Sequence, residues 1–272
     1  MNKLMIFAAC TCLVLASCND FLEEKPKSLL SSRDFNKTED QIRSNINGLY
    51  RRAAVTAHSS AGSAYIGSAM TIPGMLTGYF SNSYEGQERV CAYARTLTRQ
   101  DQTNNVSGFV DGIWGSCYGA INVANVALKS MPEVPMSDEA RKVLLGEAKF
   151  FRAFNYFMLV KWFGDVPMPT QPSENVSDLE KPRTPVADVY TLIEQDLTDA
   201  VAALPDQTWQ NNGHRITKYV ALQALTAVYM QQGKYQQASE TAKQIINSGK
   251  YSLTENEDKA LKSAYNKLRT LD

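Results

Sequence analysis

The sequence predicts an all-α protein with long irregular loops, and three observations carry that prediction. Residues 137–163 read as one helix that is apolar almost all the way round, which calls for other helices to enclose it. Segments on either side repeat apolar residues at helical spacing, and a helix pair with a glycine at its turn closes the periodic part of the chain.

Its 272 residues, 44% of them hydrophobic, are enough for one large domain or two small ones with a real core. The 28 basic and 28 acidic side chains cancel, and no Lys/Arg cluster offsets that balance, so a nucleic-acid partner is not expected.

The N-terminus is an export signal. Lys3 supplies the charged region and Leu4 to Leu15 the apolar core, too short for a permanent membrane span. The following Leu15-Ala16-Ser17-Cys18 resembles the bacterial lipobox, in which cleavage precedes an acylated cysteine. Residues 1–17 are therefore expected to be a signal peptide, with Cys18 the lipidated first residue of a tether over residues 18–33. The acidic run Asn19 to Glu24 behind it resembles the signal for transfer to the outer cell surface, a solvated leader being the other reading.

Of the five cysteines, Cys10, Cys12 and Cys18 lie in this export region, and only Cys91 and Cys117 remain in the body. They are read as two free or buried thiols, or as one bridge, which is no disulfide framework.

Asp34 to Ala57 forms the first expected helix, with Ile42, Ile46, Leu49 and Tyr50 on one face. Periodicity then fails from His58 to about Thr103. Tyr79, Phe80, Tyr84 and Tyr93, with Asn82, Gln87 and Arg95, make that stretch rich in aromatic faces and planar hydrogen-bonding groups. A second helix runs from Phe109 to Met131, its buried face traced by Ile113, Trp114, Cys117, Ile121, Ala124 and Leu128. The central helix starts at Ser137, whose hydroxyl can accept from the first free N–H groups, and stops at Gly164. Trp114 and Trp162 are assigned to the core, while Trp209 is left open.

The proline-rich, polar segment from Pro167 to Arg183 reads as a surface linker. Thr184 and Pro185 start a helix whose stripe is Val189, Leu192, Ile193, Leu197, Ala200 and Leu204. Thr217 opens the helix pair, in which Leu222, Leu225, Tyr229, Gly233, Tyr235 and Ala238 stand at tetratricopeptide spacing over residues 217–249. Such a unit presents a surface without dictating a ligand. A final, weaker helix is expected over Lys259 to Leu271.

Catalysis finds little support. His58 and His214 are the only histidines, and neither sits at the spacing of metal ligands or of a nucleophile and base. No metal and no cofactor is expected. Asp165 and Asp188 are assigned to a turn and to a helix first turn, and Arg152, amid phenylalanines, to snorkelling or a structural pairing.

Three blocks together, GEAKFFRAFNYFMLVKWFGDVPM, PVADVYTLIEQDLTDAVAALP and HRITKYVALQALTAVYMQQGKYQQASETAKQIINSGKYSL, resemble the SusD/RagB family of outer-membrane nutrient-binding lipoproteins. DGIWGSCYGAINVANVALKSMP and the lipobox fall in the same order. The resemblance implies a SusD-like helical domain over residues 34–272, with the C-terminal part of the family fold missing. It implies no enzyme, but a non-catalytic protein anchored to the outer membrane by its lipid and facing the cell exterior. Such a protein captures oligosaccharides and hands them to a SusC-like TonB-dependent transporter. Tyr79, Phe80, Asn82, Tyr84 and Arg95 are the expected glycan contacts. The alternatives are a peptide-binding RagB-type uptake lipoprotein, or a tetratricopeptide scaffold that binds no glycan.

Overall fold

The structure is a computed structural model, and it describes the backbone of residues 36–54, 107–173 and 180–252. Among the described residues it is mostly helical, with no strand beyond a single bridge between Val166 and Thr184. Six helices run in order among the described residues: α1 (Glu39–Ala54), α2 (Ser107–Ser130), α3 (Asp138–Phe163), α4 (Val186–Ala203), α5 (Lys218–Gln231) and α6 (Tyr235–Asn247). Short 3-10 turns, Met131–Glu133 and Gln210–Asn212, lie before α3 and α5.

Helix α3 is the axis of this body. Its start is fixed as the sequence requires: the Ser137 hydroxyl accepts from the Ala140 N–H at 3.2 Å, and Asp138 and Glu139 occupy the first turn. Its end is Gly164 at φ 65°, whose N–H returns to the Val160 carbonyl. Between them α3 packs against α1, α2, α4 and α5. Phe150, Phe151, Tyr156, Phe157 and Leu159 are buried, and Phe154, Met158, Trp162 and Phe163 pack partly buried against the same core. A smaller cluster at the other end gathers Ile42 and Ile46 of α1, Ala127 and Met131, and Leu144 and Ala148 of α3. Cys117 is buried within the main core.

The close crossing of α3 and α4 depends on Gly146. A Cβ at that position would lie 2.8 Å from the Ala203 Cβ and 3.2 Å from the Leu204 Cγ. Alanine would ordinarily favour a helix by about 1 kcal/mol over glycine. Here the methyl group must push two helices apart, so Gly146→Ala is expected to lose about 1–3 kcal/mol, read from its urea-unfolding midpoint.

Two charge clusters tie the helices together. Arg152 donates to both oxygens of Asp196 on α4, at 2.7 and 2.9 Å, and to the Asn125 side chain of α2 at 3.1 Å. Burial pushes the Asp196 carboxyl up, against the opposing pull of the guanidinium. At the other cluster, Glu147 accepts two bonds from Arg215 (2.8 and 2.6 Å) and one from the Tyr50 hydroxyl (2.8 Å). The Arg215 guanidinium also lies 4.8 Å from the centre of the Tyr50 ring, and the Tyr50 oxygen accepts from the Ile216 N–H. These contacts join α1 and α3 to the chain entering α5.

Helices α5 and α6 form the expected hairpin. Gly233 turns at φ 71°, where a left-handed backbone favours glycine, and Ala238 is buried against α5. After α6, the Lys250 ammonium bonds Asp206, and Tyr251 meets the Tyr219 ring edge-on at 5.5 Å between centroids. Lys250 and Tyr219 together hold the Asp206 carboxyl down to about 2.

Candidate functional site

Helix α2 and the chain leaving α3 enclose a groove of about 390 Å³. Its wall on α2 arises from helical spacing: Trp114, Tyr118, Asn122 and Asn125 lie at intervals of four, four and three and so share one face. Across from them run Pro167, Pro169, Gln171 and Ser173, and Lys181 closes one side.

The opposite wall is pinned by α2 and α3 themselves. Tyr118 donates its hydroxyl to the Pro167 carbonyl at 2.6 Å, and Asn125 donates to the carbonyls of Pro169 (2.9 Å) and Gln171 (3.3 Å). Tyr156 donates to the Pro169 carbonyl, and the Ser173 N–H donates to the side-chain Oδ1 of Asn122 at 3.0 Å. The stretch expected to be a surface linker is thus held to the helices over residues 167–173, while residues 180–183 are exposed. Proline content marked its lack of regular structure, but the side chains that bind it lie some 13 to 51 positions away in sequence. Burial raises the ionisation of Tyr118 and Tyr156 far above the ordinary phenol range, so both serve only as neutral donors.

Trp114 is the side chain whose place differs most from expectation. It packs against the core through an edge-on contact with Phe163 at 5.0 Å and a tilted one with Tyr118 at 4.9 Å. It is only partly buried, however, and it lines the groove. Trp162 likewise packs on the core without full burial. Position 114 falls at the margin of the buried stripe of α2, and periodicity alone does not separate a margin from a centre.

An aromatic wall beside carboxamides and an ammonium is suited to a ligand with apolar faces and hydroxyl edges. Tyr79, Phe80, Asn82, Tyr84 and Arg95, and the lipidation candidate Cys18, lie outside the described residues. Arg152, Asp165 and Asp188 take structural places: Arg152 pairs with Asp196, Asp165 accepts from the Val186 N–H at 2.8 Å, and Asp188 sits in the first turn of α4. His214 packs its ring on Trp209 at 4.8 Å. Among the described residues no three His, Cys, Asp or Glu side chains gather as a metal site would require. No described helix is long and apolar enough to cross a membrane.

A mostly helical body with a tetratricopeptide-like hairpin places the chain among helical-repeat proteins. Comparison with known proteins narrows it: residues 20–230 match the SusD-like family described as starch-binding and associating with the outer membrane, and the chain belongs to that family. SusD-like protein P2 of Formosa agariphila is 29% identical over 254 residues, covering 91% of this chain and 47% of its own length. A SusD-like protein of Bacteroides ovatus is 23% identical, over 84% of this chain and 39% of its own. Among solved structures, a laminarin-binding SusD-like protein superposes with a TM-score of 0.65 at 25% identity, over 82% of this chain and 48% of that one. A SusD-like carbohydrate-binding protein from Bacteroides vulgatus gives a TM-score of 0.64 at 20% identity, which shows the shared fold. The chain spans about half the length of the curated relatives it matches.

Proposed function

We propose that this chain is the helical part of an outer-membrane lipoprotein that binds oligosaccharides at the cell surface and passes them, chemically unchanged, to a SusC-like TonB-dependent transporter. Membership of a family described as starch-binding and associated with the outer membrane supports the class of ligand and the location. Among the described residues, the observation that carries the glycan reading is the α2 groove, where part-exposed Trp114 stands beside Asn122, Gln171 and Lys181. A sugar ring would lie with its C–H face against the indole while its hydroxyls bond the amides and the ammonium.

Cys18 is the proposed acyl anchor, after removal of residues 1–17, with residues 18–33 as the tether. Tyr79, Phe80, Asn82, Tyr84 and Arg95 are the proposed second group of glycan contacts. The same side-chain chemistry recurs there: aromatic faces with an amide and a guanidinium.

Affinity electrophoresis through gels containing starch or laminarin tests the site. The native chain should be retarded, and Trp114→Ala should bind about tenfold more weakly, equivalent to about 1.4 kcal/mol. Tyr79→Ala and Tyr84→Ala, measured alongside, assign the share of the second group. Equal mobility of native and Trp114→Ala chains, with thermal melts showing both folded, would remove the groove from the glycan site. For the anchor, labelled palmitate should attach to the native chain and not to Cys18→Ser.

A further inference from the structure

Beside the hairpin lies a second concavity, unrelated to the α2 groove. It is about 470 Å³ in volume, and its floor is Phe150 and Phe154 of α3 with Val220, Ala224 and Ala227 of α5. The α5 positions recur at intervals of four and three, so they form one apolar stripe, half-buried at Val220 and Ala224 and exposed at Ala227, with Ile245 of α6 on its flank. Trp209, 43% exposed, and Tyr251, 38% exposed, stand at its edge. A groove lined by this much apolar surface calls for an apolar occupant.

The chain itself arrives at this place. Lys250 is bonded to Asp206 and Tyr251 packs on Tyr219, so the polypeptide leaves the described residues at the rim of the groove. The C-terminal residues beyond it carry an amphipathic pattern: Leu261, Ala264, Tyr265, Leu268 and Leu271 fall on one arc at 100° per residue, with Lys262, Asn266, Lys267 and Arg269 outside it. We propose that residues 259–271 form a helix that docks by this apolar arc in the groove between α3 and α5.

The dimensions agree. Residues 252–258 can reach across about 24 Å when extended. A helix over residues 259–271 is about 20 Å long, close to the roughly 21 Å of α5. Docking would give α5 a neighbour on its open side, as each helix of a stacked repeat has. The docked helix is independent of any glycan bound at the α2 groove.

Hydrogen–deuterium exchange on the full-length chain tests it. Amides of residues 259–271 should exchange at least tenfold more slowly in the native chain than in Leu268→Asp, which alters the docking arc, or in Ala227→Glu, which places a charge in the groove. Ser263→Asp, on the outward side, should leave them protected. Amides of α3 and α5 report whether Ala227→Glu still folds; if it does not, Leu268→Asp alone decides, since position 268 is outside the described residues and the same amides report that α3 and α5 stay folded in it. Exchange of residues 259–271 at the unstructured rate in the native chain would overturn the proposal. So would protection unaffected by Leu268→Asp, or protection that disappears on dilution, which would make a second copy the occupant.

Discussion

Arg152→Leu should destabilise the protein by about 3–5 kcal/mol, the usual consequence of removing one partner from a buried ion pair. Asp196 is almost fully buried, and Arg152 supplies both of its short hydrogen bonds. Without the guanidinium a carboxylate remains enclosed between α3 and α4, its lost hydration offset only by the charge of Lys149. The effect has a pH signature. Burial already raises the folded-state ionisation of Asp196, and loss of the cation raises it further. A group whose folded pKa lies above its unfolded value contributes most below the unfolded value and loses that contribution as pH rises through the folded one. The deficit of Arg152→Leu relative to the native protein should therefore be small near pH 4 and full at pH 7. Paired urea titrations at the two pH values check this; an equal deficit at both would mean that Asp196 is not charged in the native protein.

At the second cluster the expected result is asymmetric. Glu147 is 1% exposed and Arg215 31% exposed in their side chains. Arg215→Ala strands a buried carboxylate with only the Tyr50 hydroxyl, and should lose about 3–5 kcal/mol. Glu147→Gln keeps the shape and leaves a cation that can turn to water, so a loss of about 1–2 kcal/mol is expected. Because Arg215 lies just before α5 while Tyr50 and Glu147 belong to α1 and α3, the loss in Arg215→Ala should appear as one cooperative shift of the whole transition. Chemical denaturation followed by circular dichroism measures both variants. A larger loss in Glu147→Gln than in Arg215→Ala would contradict the placement of the buried charge.

Local rules made the helices legible in the sequence. Ser137 and Gly164 mark the ends of α3 through capping chemistry that acts within a few residues, and Gly233 marks the hairpin turn in the same way. The all-round apolar character of α3 correctly required enclosure, and the aromatic surroundings of Arg152 pointed to a structural place, by snorkelling or by pairing, of which the structure shows the pairing. Its partner was not, because Asp196 is 44 positions away and looks like any polar residue of an amphipathic helix. The groove was hidden for the same reason. Tyr118, Asn122 and Asn125 lie outside the apolar stripe traced for α2, and only the folded chain shows them gripping residues 167–173. Trp114 carried an apolar signal that fits a core and a groove wall equally well.

Isothermal titration of the native chain with starch- and laminarin-derived oligosaccharides, and in parallel with extended peptides, addresses the proposed function most directly. Saturable heat with an oligosaccharide, weakened about tenfold by Trp114→Ala and absent with the peptides, is the predicted result. Saturable heat with peptides and none with any saccharide would contradict it.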